Sequence, residues 1–185
     1  MRKNFGAKTW LYPMPVFIIA TYGDDGTPDA MNAAWGGIVE EERIGLCLSE
    51  SHKTTQNILK RKAFTVSIAD AKNVVAEDYV GIVSGNDVKD KFARAGFTAT
   101  KSQFVDAPVI NEIPMALECE YEKTTEDGLV IGKIVNVSAD ESVLSQNGKI
   151  DPAKFNTIVF DPVNNKYRSL GAVAGNAFSD GLKLK

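Results

Sequence analysis

The stretch Leu48-Ser49-Glu50-Ser51-His52-Lys53-Thr54-Thr55-Gln56-Asn57-Ile58 holds the densest set of groups able to do chemistry. It reads as the end of a strand followed by a helix from His52 to about Arg61, with Ser51 placed to cap it. The first turn of a helix leaves backbone N–H groups unpaired and carries about half a positive charge from the macrodipole. Acidic side chains normally occupy that turn, yet here it holds His52, Lys53, Thr54 and Thr55. A cation there costs stability unless an anion binds. Hydroxyls and an ammonium around free N–H groups are the donors a phosphate needs. The alternative is an ordinary capped helix with a solvated lysine, and the residue types leave both readings open. The chain has no GxxxxGK[ST] loop and no GxGxxG after a strand, so a nucleotide here needs a different cradle.

A second stretch, Thr27-Pro28-Asp29-Ala30-Met31-Asn32-Ala33-Ala34-Trp35-Gly36-Gly37, combines small residues, one amide and one tryptophan. Small side chains let a flat ligand come close to the backbone, whose N–H groups then meet its heteroatom edge. Asn32 can add a donor and Trp35 a wall. The competing reading is a strand with a core tryptophan packed on a neighbour, and composition alone favours it. His52 is the only histidine, which excludes a His-rich metal site and makes it the one candidate for a Ser-His-Asp triad. Cys47 and Cys119 form no CxxC pair, which excludes a zinc ribbon or thioredoxin motif. Each lies in an apolar stretch, so two buried thiols in a reducing cytoplasm are expected.

These residues must be positioned by short strands. Val16 to Tyr22 ends at the turn Gly23-Asp24-Asp25-Gly26, and Ile44 to Ser49 is a second apolar run. Phe64 to Ala69 alternates apolar and polar, the period of a half-buried strand. Met115 to Lys123 and Leu129 to Ala139 flank Glu126-Asp127-Gly128 as a long hairpin. Thr157 to Asp161 and Lys166 to Leu170 flank Pro162-Val163-Asn164-Asn165 as another. Helices are expected over Val74 to Val83, over Asp87 to Ala95 up to Gly96, and briefly after Asp151-Pro152. The sum is a mainly β protein, a β-barrel with short helices.

The chain has 185 residues, which fits a single domain over 1–185. Its 44% hydrophobic and 24% charged residues exclude disorder, collagen-like repeats and disulfide scaffolds. With 21 basic against 24 acidic residues there is no basic footprint for nucleic acid. The apolar run Val16 to Ala20 is too short for a signal or a membrane span, so a soluble, cytoplasmic protein is expected.

Taken in order, these segments resemble the flavin reductase-like family, flavoredoxins among its members. The resemblance runs through Pro15 to Thr21 with the Asp-Gly turn, Asp29 to Trp35, and Cys47-Leu48-Ser49 into His52-Lys53-Thr54-Thr55. It continues through Phe64 to Ser67, Gly85 to Phe92 with Asp90-Lys91-Phe92, Ile131 to Val135, and Tyr167 to Gly171. Asp29 stands where Asn is expected in many relatives, a small change at the pocket edge.

The resemblance implies an FMN-binding split β-barrel, a homodimer with flavin at the subunit interface. It puts the flavin phosphate on Ser51, His52, Lys53, Thr54 and Thr55, and the ring against Met31, Asn32, Ala33, Ala34 and Trp35, with Leu48 and Ser49 nearby. The absence of an obvious acid, base or nucleophile suits a protein whose cofactor carries the chemistry. His52 is then a phosphate contact or cap rather than a proton donor. Asp90 and Lys91 are expected on a solvated helix face rather than reaching the flavin across the dimer. One compact anion site and no second glycine-rich loop favour FMN over FAD. The implied function is a flavin reductase moving reducing equivalents between NAD(P)H, or a redox partner protein, and flavin. The alternatives are a flavoredoxin-like electron carrier with tightly bound FMN, and a flavin-binding protein without redox turnover. No separate nicotinamide motif is present to decide among them.

Overall fold

The computed structural model describes residues 1 to 185. In chain order the strands and helices are β1 (Met14–Pro15), β2 (Phe17–Tyr22), β3 (Pro28–Ala33), β4 (Gly36–Glu40), β5 (Arg43–Cys47), α1 (Lys53–Arg61), β6 (Ala63–Ile68), α2 (Val74–Ile82) and α3 (Lys91–Arg94). Then come β7 (Ala99–Lys101), β8 (Pro108–Ile110), β9 (Met115–Thr124), β10 (Leu129–Ala139), α4 (Pro152–Phe155), β11 (Ile158–Asp161) and β12 (Lys166–Ser169). Seven strands form one sheet in the order β3-β2-β6-β9-β10-β5-β4, all neighbours antiparallel. Three more, β1-β11-β12, make a small second sheet, and β7-β8 pair alone.

The large sheet curls because β10 carries two register shifts, at Ile131/Gly132 and at Ile134/Asn136, and each bulge bends and twists the strand. One apolar cluster fills the concave side, including Phe17, Ile19, Ile44, Leu46, Phe64 and Val130. Phe64 reaches across to Gly132, where an added Cβ would lie 2.3 Å from the ring, so only glycine lets the sheet close on it. A second cluster lies outside, with Val16, Ile18, Ala20, Val80 and Phe92 among its members. The continuous apolar run over residues 16–20 follows from this: alternate side chains serve opposite faces, and both faces are covered.

Four sequence expectations change. β6 is not half-buried, since Thr65 and Ser67 are buried as completely as Phe64 and Val66. The outer face is roofed by β8, where the Thr65 hydroxyl donates to the Pro108 carbonyl at 2.6 Å. The helix expected over residues 87–95 shrinks to the single turn α3, because Asp87 and Val88 donate back to the Ser84 carbonyl in a separate turn. Cys47 is exposed rather than buried: alternation along β5 turns Leu46 inward and Cys47 outward. Cys119 is buried as expected, and burial pushes its thiol up to about 12. Trp35 is not a core residue, with 52% of its surface open.

Candidate functional site

The end of β5 runs through Leu48 and Ser49 into α1, which begins at Lys53 with His52 at the cap position. Ser51 does not cap the helix. Its hydroxyl lies 2.8 Å from that of Ser49, and its backbone N–H donates to the Ser49 hydroxyl at 3.3 Å. No side chain caps α1 and no acidic residue lies in its first turn. The N–H groups of Lys53, Thr54 and Thr55 therefore point out of the helix without an acceptor. The Thr55 hydroxyl is buried and also unpartnered. The turn is held from outside: Asn86 donates to the Ser51 carbonyl at 3.0 Å, and Gln56 reaches the carbonyls of Glu50 and Ser51 at 3.4 Å each.

Lys53 leans away from the solvent. It lines a polar cavity of about 320 Å³ with Asp24, Asp25, Asp29, Asn57, Asn86 and Lys89 among its walls. Thr54 is buried, and its hydroxyl donates to Asp29 at 2.6 Å. The other Asp29 oxygen lies 3.4 Å from the Lys91 ammonium. Lys91 also donates to the Val83 carbonyl at 3.1 Å and the Val80 carbonyl at 3.4 Å, at the end of α2. It is 3% exposed, so the solvated face expected for it is wrong: the charge is drawn in by Asp29 and by carbonyls that α2 leaves unpaired. Asp90 does face solvent, bonded to Arg94 at 2.9 Å.

A second cavity, about 520 Å³, opens where β3 gives way to β4. Ala34, Trp35 and Gly36 line one side with Cys47 and Leu129, and Lys8 to Leu11, Met14 and Pro15 line the other. That volume is ordinary for a small-molecule site, and Lys8 is the only charged residue in its wall. The candidate residues thus divide. Ala34 and Trp35 meet in this cavity, and Ser49 to Thr55 form the turn that follows its lining residue Cys47 in the chain, with Lys53 on the polar cavity. Met31, Ala33 and Leu48 face the concave core. Asn32 turns to the opposite side, where its amide donates to the Glu77 carbonyl at 3.1 Å and approaches the Tyr167 hydroxyl at 3.4 Å. Tyr167 in turn donates to Asp78 at 2.8 Å. Sequence reasoning missed Lys89, Asn86 and the arm residues Lys8 to Leu11. Only tertiary placement brings them to the site; Asn86 and Lys89 lie in the Gly85 to Phe92 segment that carries the resemblance, without being singled out there.

The chain matches the model of the flavin reductase like domain over residues 9–161. The chain belongs to the flavin reductase-like family. Among solved structures it is similar to the flavoredoxin of Desulfovibrio vulgaris (Miyazaki F), at 39% identity over 98% of this chain and 100% of that one, with a TM-score of 0.94. It is also similar to a flavoredoxin from Methanosarcina acetivorans, at 27% identity over the whole of both chains and a TM-score of 0.90. An FMN-binding domain of a flavin reductase-like enzyme from Shewanella baltica shares the fold, with 17% identity over 88% of each chain and a TM-score of 0.77. The mainly β, split-barrel architecture expected of the family is the one observed. The seven-stranded curled sheet is its half-barrel, and β3 and β4 are the edge strands of that sheet.

Proposed function

We propose that this flavin reductase-like chain is a single-domain FMN flavoprotein that moves reducing equivalents between NAD(P)H, or a redox partner protein, and its flavin, as a homodimer. The observation that carries the reading is the uncapped, acid-free first turn of α1 together with an aromatic-walled cavity. Cys47 in that cavity and Lys53 at the turn are six positions apart, at most ~20 Å of extended chain. One ligand with an anionic end and a flat end fits both. The N–H groups of Lys53 to Thr55, the Thr55 hydroxyl and the Lys53 ammonium would hold the phosphate. His52 and Ser51 border the same turn. Ala34 and Trp35 would hold the ring, with backbone groups of residues 31–36 and 48–49 along its edge. A bound flavin supplies hydride and single-electron transfer, chemistry no side chain here provides. The protein binds and orients the ring, and the apolar walls keep water from it. An exposed, unpaired Cys47 suits a reducing cytoplasm.

The likeness to flavoredoxins favours a second reading, an electron carrier whose FMN stays bound while a partner protein delivers electrons. The absorbance spectrum of the purified protein tests both, because a protein that binds no flavin on titration with FMN has neither function. Anaerobic addition of NADPH then separates them. Prompt bleaching of the flavin marks the reductase, and bleaching only with a reduced protein partner marks the carrier.

A further inference from the structure

Residues 171–185 leave the body of the chain after Leu170 donates to the Thr157 carbonyl. Every hydrogen bond they make is internal, including Asn176 N–H to the Asp180 carboxylate at 2.8 Å and the turn bonds from Ser179 to Lys185. All fifteen are exposed except Asp180, which is half-buried, and Phe178 and Leu184 are more than 90% open. A segment that folds into turns yet buries no apolar side chain gains too little from its own contacts to offset the entropy of ordering. It needs a surface elsewhere.

The same chain carries a matching one. β4 is a free edge, and edge strands recruit other chains unless they are covered. Its Ile38 and Val39 are more than half exposed, as is Trp35 just before it. Glu41 and Glu42 follow, exposed and in no ion pair. The tail offers the complement: Phe178, Leu182 and Leu184 interleaved with Lys185, which has no ion pair, and Lys183, whose exposed pair with Asp180 at 3.1 Å can exchange for a carboxylate of the partner. Apolar meets apolar, and ammonium meets carboxylate. Both surfaces are exposed, so the tail does not cover its own β4.

We propose that residues 171–185 of one copy pack on the β4 edge of a second copy and close the open side of its Trp35 cavity. A two-fold axis then pairs each tail with the other's edge in one closed contact. The consequence for the cavity rests on the reading of that cavity as the flavin-ring site.

The test uses the full chain, a variant ending at Leu170, and L182D/L184D, whose exposed positions leave the protomer core untouched. Sedimentation gives the mass, and titrations give FMN and riboflavin affinities. The full chain should have twice the chain mass. Both variants should shift toward monomer and bind FMN and riboflavin more weakly by the same factor, roughly tenfold or more, because the ring end alone loses cover. E41K/E42K should weaken the dimer, and adding K183E/K185E should restore it. Unchanged mass in both tail variants overturns the proposal, as does failure of the charge exchange to restore the dimer. A lower mass with unchanged flavin affinities overturns the closing of the cavity. If the full chain binds no flavin, the functional reading fails while the mass and charge-exchange data still decide the tail contact.

Discussion

Replacing Glu77 by Gln should stabilise the protein, and by more as pH rises. Glu77 sits in the first turn of α2, 1% exposed, with one carboxylate oxygen accepting from the Asp70 N–H at 3.0 Å and the other unpartnered. Burial pushes its carboxyl from 4.5 up to about 8; the Asp70 N–H bond opposes this, and the nearby Asp70 charge adds to it. The folded state thus keeps a proton that the unfolded chain releases. Below the unfolded value both states are protonated and nothing is lost. Between 4.5 and about 8 the unfolded state is progressively favoured, and above that the loss is constant. At ~1.4 kcal/mol per unit the full loss is about 5 kcal/mol, and about 3 kcal/mol near neutral pH. Gln keeps the acceptor for Asp70 and cannot ionise. E77Q should match the wild type near pH 4.5. Near neutrality it should melt roughly 10 °C higher, from ~2–4 °C per kcal/mol at this chain length. Urea unfolding of both apo proteins across that pH range measures the gap. A gap that does not widen with pH, or an E77Q protein less stable throughout, refutes the assignment of a buried protonated carboxyl.

Lys53→Ala should weaken FMN binding by roughly tenfold or more and leave riboflavin binding unchanged. Removing a cation from an uncapped N-terminus should also raise the melting temperature of the empty protein slightly; equal losses for both flavins would place the phosphate elsewhere. Asp29→Asn strands the buried Lys91 ammonium against carbonyls and should cost about 3–5 kcal/mol. Adding Lys91→Met should recover much of that in urea unfolding, and additive losses would mean the two do not interact. Thiol titration should label Cys47 alone in the folded protein, and saturating FMN should slow it; FMN without effect would argue that the cavity is not the ring site. Asp161 is held well below the usual carboxylate range, chiefly by the Tyr12 hydroxyl, then Asn164 and Arg168. Its contribution is present above the unfolded carboxylate value and is lost progressively as pH falls from there to the depressed folded value. Asp161→Asn should therefore flatten the acid limb of stability measured by urea unfolding, and an unchanged limb would count against the Asp161 cluster.

What the sequence made legible is what depends on neighbours along the chain. The hairpins around Gly128 and Asn165 were readable because both residues supply the positive φ their turns need. The α1 start was displaced by one residue because Ser51 bonds sideways to Ser49, a choice between two local partners that residue types cannot make. Two of the errors share one cause. Thr65 and Lys91 are read by polarity and local pattern, whereas their burial is set by β8 and by Asp29 with the α2 carbonyls; Cys47 differs, since alternation along β5 already turns it outward and only the apolar run around it suggests burial. The arm at Lys8 to Leu11 reaches the Trp35 cavity across the fold, and no period in the sequence carries that distance.

Asp29 bears on whether the α1 turn can hold an anion at all, since a carboxylate beside a phosphate site opposes binding. Asp29 reaches the turn from β3, not from the helix, and both its oxygens are engaged, one by the Thr54 hydroxyl and the other by the Lys91 ammonium. Its charge is therefore balanced inside the protein by a lysine too buried to serve any ligand. Lys53 and Lys89 line the polar cavity without an ion pair, together with Asp24, which pairs with Lys60 at 2.6 Å, and Asp25. The Asp29 carboxylate and its Lys91 counter-ion cancel, and Lys60 offsets Asp24, which leaves the free N–H groups, Lys53 and Lys89 against the single carboxylate of Asp25. An Asp at position 29 in place of the Asn expected in many relatives thus leaves the turn positive, and the Thr54 bond it accepts fixes the first turn of α1 against β3.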